Sequence, residues 1–293
     1  MNRTLIVLAM ALLCASIAGP AAAPFAAPAL AAEAHTVLSA DSIPIAYAVQ
    51  GKGEPALVFV HCWSCDRSYW QSQVSAFDKK YKVVTLDLAG HGESGLDRKD
   101  WTIESFAGDV VAVVTSLDLK RVILIGHSMG GPVALEAARR MPDRVIGIIG
   151  VDTFRDLEEK YDDARKQQML GMLKANFPAV TDRFVRSMFP AGADSGLVAR
   201  IASDMASEPP EVAIGAMKNL LGYDPLPALA EIKAPIRSIN GDLFPTDVEA
   251  GRRYAKSFAV AFMPGRGHFP HLEDPQTFNK ILAQTIDEIA KAK

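Results

Sequence analysis

Four short segments of the chain are almost continuously apolar and rich in Val, Ile and Leu: residues 56–60, 82–86, 122–125 and 145–151. Runs of this length without polar alternation predict strands buried on both faces, as in a parallel sheet. Between them, apolar residues recur at helical spacing over 103–117 and over 131–140, the second stretch stopping near Pro142. Strand and helix therefore alternate, which predicts an α/β architecture with right-handed crossovers. Upstream, 36–39 and 43–49 read as paired strands around Ala40-Asp41-Ser42, and Gln50-Gly51-Lys52-Gly53 turns the chain. From 153 to 230 the strand pattern disappears. This stretch holds five of the ten methionines (Met169, Met172, Met188, Met205, Met217) together with Phe154, Phe177, Phe184 and Phe189, in helix-like pieces broken by Pro178, Pro190 and Pro209-Pro210. It reads as an inserted helical subdomain. Strands return at 235–240 and 258–263, before a closing helix over 275–290.

The pattern at the start of the chain is different. Residues 4–32 carry no charge, and an apolar run over 5–18 follows Met1 and Arg3. The run is short for a bilayer span. Its basic start, apolar middle and Ala29-Leu30-Ala31 site read as a secretory signal peptide cleaved after Ala31, which predicts a periplasmic or secreted protein that takes Cys14 away with its leader. The expected organisation is a leader over 1–31, a core from 32–152 and 231–293, and a helical cap over 153–230. Composition adds exclusions. With 31 Lys and Arg against 34 Asp and Glu, a net charge of -3 and three cysteines in 293 residues, the chain is globular and has no basic stripe for nucleic acid. No stable membrane insertion is expected once the leader is removed.

The chemistry centres on Gly126-His127-Ser128-Met129-Gly130-Gly131, between a predicted strand and a predicted helix. This is the G-x-S-x-G nucleophile elbow in the strand-turn-helix setting it requires. At this point the sequence resembles the α/β-hydrolase superfamily over essentially its whole length after the leader. His61-Cys62-Trp63-Ser64 resembles the family's oxyanion loop, Asp87 to Ser94 its D-x-x-G-x-G-x-S turn, and Gly265-Arg266-Gly267-His268-Phe269 its histidine loop. The resemblance implies a mostly parallel sheet flanked by helices with an inserted cap, Ser128 as nucleophile and His268 as base, His271 being the competitor. His127 is expected to pack or hydrogen-bond locally, and His61 to shape the oxyanion loop. A serine nucleophile separates the chain from epoxide hydrolases and haloalkane dehalogenases, which use a carboxylate.

The acid departs from the family's common pattern. A segment resembling G-D-x-D-P is expected after the strand at 235–240, but Gly241-Asp242-Leu243-Phe244-Pro245 puts Phe244 at the carboxylate's place. Asp152, ending the preceding strand, is the leading candidate, with Asp247 and Asp242 as alternatives. The resemblance further implies the backbone N–H groups of Trp63 and Met129 as oxyanion donors. Cys62 stands where the family usually has glycine, and with Cys65 it forms a C-x-x-C pair for which a disulfide is chemically available outside the cytoplasm. No second ligand pair completes a zinc site, and no metal or organic cofactor is expected. Phe154, Met188 and Phe189 are candidate pocket residues. The expected activity is hydrolysis of small to medium apolar esters or related acyl compounds. A carbon-carbon hydrolase of ring-cleavage type and a weakly active ligand-binding protein remain as alternatives.

Overall fold

The computed structural model describes residues 34–255 and 257–291; the expected leader and its cleavage site lie outside them. In chain order the elements are β1 (Ala34–Leu38), β2 (Pro44–Gln50), β3 (Ala56–Val60), α1 (Gln71–Phe77), β4 (Val83–Leu86), α2 (Ile103–Ser116), β5 (Val122–His127), α3 (Gly130–Arg140) and β6 (Val145–Val151). The insert contributes α4 (Asp163–Ala175), α5 (Phe177–Arg186), α6 (Ser195–Met205), α7 (Pro210–Leu220) and α8 (Leu226–Glu231). The chain closes with β7 (Ile236–Gly241), α9 (Val248–Tyr254), β8 (Ala259–Met263), α10 (Pro270–Glu273) and α11 (Pro275–Lys291).

The eight strands form one sheet in the order β1-β2-β4-β3-β5-β6-β7-β8. β1 and β2 pair antiparallel, β2 joins β4 antiparallel, and every later pairing is parallel. The continuous apolar runs have the expected cause. Val58 and Val60 of β3 and Val122 and Leu124 of β5 face one core layer, packed under α2 and α3 through Phe106, Val110, Val113 and Val133. Leu57, Phe59, Ile123 and Ile125 face the other, packed under α1 and α11 through Val74, Phe77, Phe278, Leu282 and Ile286. Helix α2 begins at a reciprocal cap between Thr102 and Ser105, which satisfies two backbone donors.

Two local readings differ from the sequence pattern. Pro178 and Pro210 do not break helices but open them, at the second residue of α5 and the first of α7, where a missing N–H costs nothing. The short helices α1, α9 and α10 gave no periodic signal because none exceeds two turns. No described helix is long and apolar enough to cross a membrane.

The insert is tied to the core by directed bonds. Tyr69 Oη donates to Asp204 of α6 at 2.5 Å, Trp63 Nε1 to the Ala213 carbonyl of α7 at 2.7 Å, and Asn219 Nδ2 to the Trp101 carbonyl at 2.8 Å. Near the first of these, Glu208 is pushed up to about 8, mainly by burial and further by Asp204, Asp66 and Asp87. A carboxyl raised above its ordinary value contributes stability in acid and loses it as pH rises toward its folded value. Glu208→Gln is therefore expected to match the parent protein at pH 4 and to exceed it at pH 9 by on the order of 2 kcal/mol, read from urea denaturation at both pH values.

Candidate active site

The turn between β5 and α3 holds Ser128 at φ 51°, in the left-handed region that a side chain rarely adopts. Two main-chain bonds fix it there: Ser128 N donates to the Val151 carbonyl at 3.0 Å, and Gly131 N donates back to the Ser128 carbonyl at 2.9 Å. The glycines are required by packing. A Cβ on Gly130 would lie 2.5 Å from the Val60 carbonyl oxygen, and one on Gly126 would strike the Gly130 carbonyl. The turn can thus be tight only because β3, β5 and α3 meet without side chains between them.

Asp152 follows β6 directly, and its amide extends the pairing to β7 by donating to the Ile239 carbonyl at 3.0 Å. Its Oδ1 accepts from Gly241 N at 3.1 Å, and its Oδ2 lies 2.5 Å from His268 Nδ1, with both side chains buried. That bond places the proton on Nδ1 and leaves Nε2 as the acceptor. The other two carboxylates are occupied elsewhere. Asp247 caps α9, its Oδ1 accepting from Ala250 N at 2.9 Å, and the exposed Asp242 accepts from Gly265 N at 2.7 Å. His268 is gripped at both ends of its backbone: its N–H donates to the Met188 carbonyl at 2.9 Å, and its carbonyl lies 2.7 Å from His127 Nε2. His127 packs against Trp70 and Phe269, in line with the packing expected of it, but its hydrogen bond is long-range and not local. Burial holds His127 well below the usual histidine range, so it is a neutral donor that links the elbow to the base's loop. His271 is fully buried, stacks on Trp70 with ring centroids 4.6 Å apart, and is lowered to about 3 by burial; it does not stand as the base. No hydrogen bond joins Ser128 to His268, a contact that commonly tightens only with substrate bound.

Cys62 and Cys65 are joined in a disulfide across Trp63 and Ser64, with Cα atoms 5.4 Å apart. His61 braces the same loop. Its Nδ1 meets the Cys62 carbonyl at 2.7 Å while Leu88 N donates to its Nε2 at 2.9 Å, a pairing that requires the proton on Nδ1. The backbone N–H groups of Trp63 and Met129 donate to no acceptor among the described residues, as free anion donors must. The Trp63 ring meets Phe177 and Phe184 edge-on at 6.1 and 6.2 Å. Of the candidate pocket residues, Phe189 stacks on Phe269 at 5.2 Å beside the base, Met188 contributes its carbonyl to His268, and Phe154 packs toward Gly150 behind Asp152. A half-buried serine in a tight turn, an imidazole tied to a carboxylate, and two N–H groups without acceptors among the described residues form an arrangement able to attack a carbonyl and hold the resulting oxyanion.

A model of the alpha/beta hydrolase family matches residues 57–281. The chain belongs to the alpha/beta hydrolase family. Among curated proteins, this hydrolase is 26% identical over 249 residues to 3-oxoadipate enol-lactonase 2 of Acinetobacter baylyi, covering 83% of the chain and 92% of the relative. It is 22% identical over 253 residues to a karrikin insensitive 2 receptor of Petunia hybrida, covering 81% and 94%. Among solved structures, a thermophilic esterase from Thermogutta terrifontis superposes with a TM-score of 0.77 at 22% identity, over 88% of the chain and 99% of that structure.

Sequence reasoning missed three features of this alpha/beta hydrolase site. Arg155, whose guanidinium lies over Phe244 at 4.6 Å, gave no signal because it belongs to no family motif. Phe269 was visible beside His268 but was read only as part of a loop. The grip of His127 on His268 joins residues 141 apart and cannot be seen in linear spacing. Among the described residues no group of three or more His, Cys, Asp or Glu could hold a metal ion. Because Asp247 caps α9 and does not face the base, Asp247→Ala should cost about 1 kcal/mol in urea denaturation, with activity at saturating substrate unchanged. Peptide mapping without reduction should recover Cys62 and Cys65 in one linked fragment that gains two alkylatable thiols on reduction.

Proposed function

We propose that the protein is a serine hydrolase that cleaves small to medium apolar carboxylic esters through an acyl-enzyme. The observation that carries this reading is the buried contact of 2.5 Å between Asp152 and His268, beside a serine held in the elbow conformation. Ser128 attacks the ester carbonyl as His268 Nε2 takes its proton, and Asp152 keeps the imidazole in the required tautomer and stabilises the imidazolium. The Trp63 and Met129 N–H groups receive the oxyanion. The imidazolium then protonates the leaving alkoxide, and water, activated by the same base, releases the acid. Phe177, Phe184, Phe189 and Trp63 supply apolar surroundings for the acyl or alkyl portion. The activities by which two similar proteins are named, an enol-lactonase and an esterase, support ester chemistry. The apolar leader and the C-x-x-C disulfide support action in the periplasm or outside the cell.

A second reading is favoured by the receptor among the relatives: a ligand-binding protein that turns over slowly on the same scaffold. Fluorophosphonate labelling followed by a p-nitrophenyl ester series separates the two. Expected are covalent labelling at Ser128, loss of labelling in Ser128→Ala, and fastest turnover on short to medium acyl chains. Asp152→Asn is expected to lower kcat roughly 10,000-fold, as a wrong imidazole tautomer does. Labelling without turnover of any ester supports the receptor reading, and an unlabelled Ser128 in folded protein removes the hydrolase mechanism.

A further inference from the structure

The place where the family commonly keeps its carboxylate is not simply vacated. Phe244 is half-buried there, and its ring carries the Arg155 guanidinium at 4.6 Å. From that position Arg155 Nη1 reaches to 3.7 Å of Asp152 Oδ2, the same oxygen that meets His268 Nδ1. Arg155 is also fixed through its backbone, its carbonyl accepting from Asp247 N at 2.7 Å. Its side chain is 27% exposed, and Nη1 has no hydrogen-bond partner among the described residues, which leaves it to the Asp152 carboxylate. A planar cation stacked on an aromatic face loses little further freedom when it pairs with a carboxylate.

We propose that Arg155, seated on Phe244, is a positioning residue for Asp152 and sets the lower pH limit at which His268 works as a base. This rests on the reading of Asp152 and His268 as a catalytic pair. The carboxylate oxygen serves two cations in turn: a permanent one on Arg155 and a transient one on the imidazolium. The permanent charge holds the Asp152 carboxylate directed at Nδ1. It also opposes a second positive charge nearby, the one that forms on the imidazole when it takes up a proton. Other groups around the pair do not supply this effect. His127 from β5 and His271 from α10 are held neutral by burial. Glu273 of α10 is directed at Gly267 N and Phe269 N, each within 3.1 Å. Arg266 pairs with Asp274 at 3.1 Å, Asp242 turns to Gly265 N, and Asp247 caps α9.

The test measures two pH profiles on the intact folded protein. One is the rate of fluorophosphonate labelling of Ser128; the other is the imidazole titration of His268 followed by NMR, which needs no turnover. Arg155→Gln is expected to move the acid limb of labelling and the His268 titration upward together, by about one pH unit. It should also slow labelling several-fold on the pH-independent plateau. Arg155→Lys, which keeps the charge, should restore the limb but not the full plateau rate, because the stacked fork is gone. Thermal melts establish that both variants are folded. Coincident titrations in Arg155→Gln and the parent overturn the inference. A His268 titration that moves while Ser128 is never labelled upholds the coupling of Arg155 to the pair and overturns the hydrolase reading.

Discussion

A parallel sheet covered by helices on both faces offers polar chemistry only its ends, and the rest of this molecule is arranged around that constraint. Leu57 and Val58, adjacent in β3, point into opposite apolar layers, and the same holds for Ile123 and Leu124 in β5. A charged or hydroxyl group within those strands would be stranded without partners. Ser128, Asp152 and Gly241 instead stand at the carboxyl ends of β5, β6 and β7, where the ladder finishes and side chains turn out of the core. Right-handed crossovers bring these ends to one edge. His268 reaches the same edge after β8, and its backbone is held from two sides by Met188 and His127. The placement of His268 then follows from main-chain bonds instead of flexible side-chain contacts alone.

Much of this was legible in the chain. The continuous apolar runs announced the buried strands because burial on both faces removes alternation, and β6 was read at its observed limits. The elbow was legible because close approach of backbones at Gly126 and Gly130 leaves only glycine acceptable. The position of the acid was legible only as a choice among three aspartates, since which carboxylate faces Nδ1 depends on how the loop after β7 turns. That loop spends Asp242 on Gly265 and Asp247 on a helix cap, two local bonds with no periodic signature. The disulfide was likewise a chemical option in sequence that needed the fold of the loop to bring the two cysteines together.

Placing at the exit of β6 the carboxylate that meets His268 has structural effects. Asp152 adopts φ 43°, and Phe154 two residues later adopts φ 55°, so the exit of β6 is a strained turn. The strain is held by the bond from Gly241 N and by the β7 pairing through Ile239. With the carboxylate on that turn, the neighbouring loop is free to carry an aromatic surface, and Phe244 with Arg155 fills it.

Trp63 belongs to two structures at once. Its main chain lies in the loop braced by His61 and closed by the disulfide, while its indole N–H is committed to the Ala213 carbonyl of α7. His268 is in the same position, its amide held by Met188 of the insert. The helical insert is therefore bonded into both loops and is not a separate layer laid over them. Withdrawing it as a unit would break both of those bonds and leave the loops of Trp63 and His268 without their outer support.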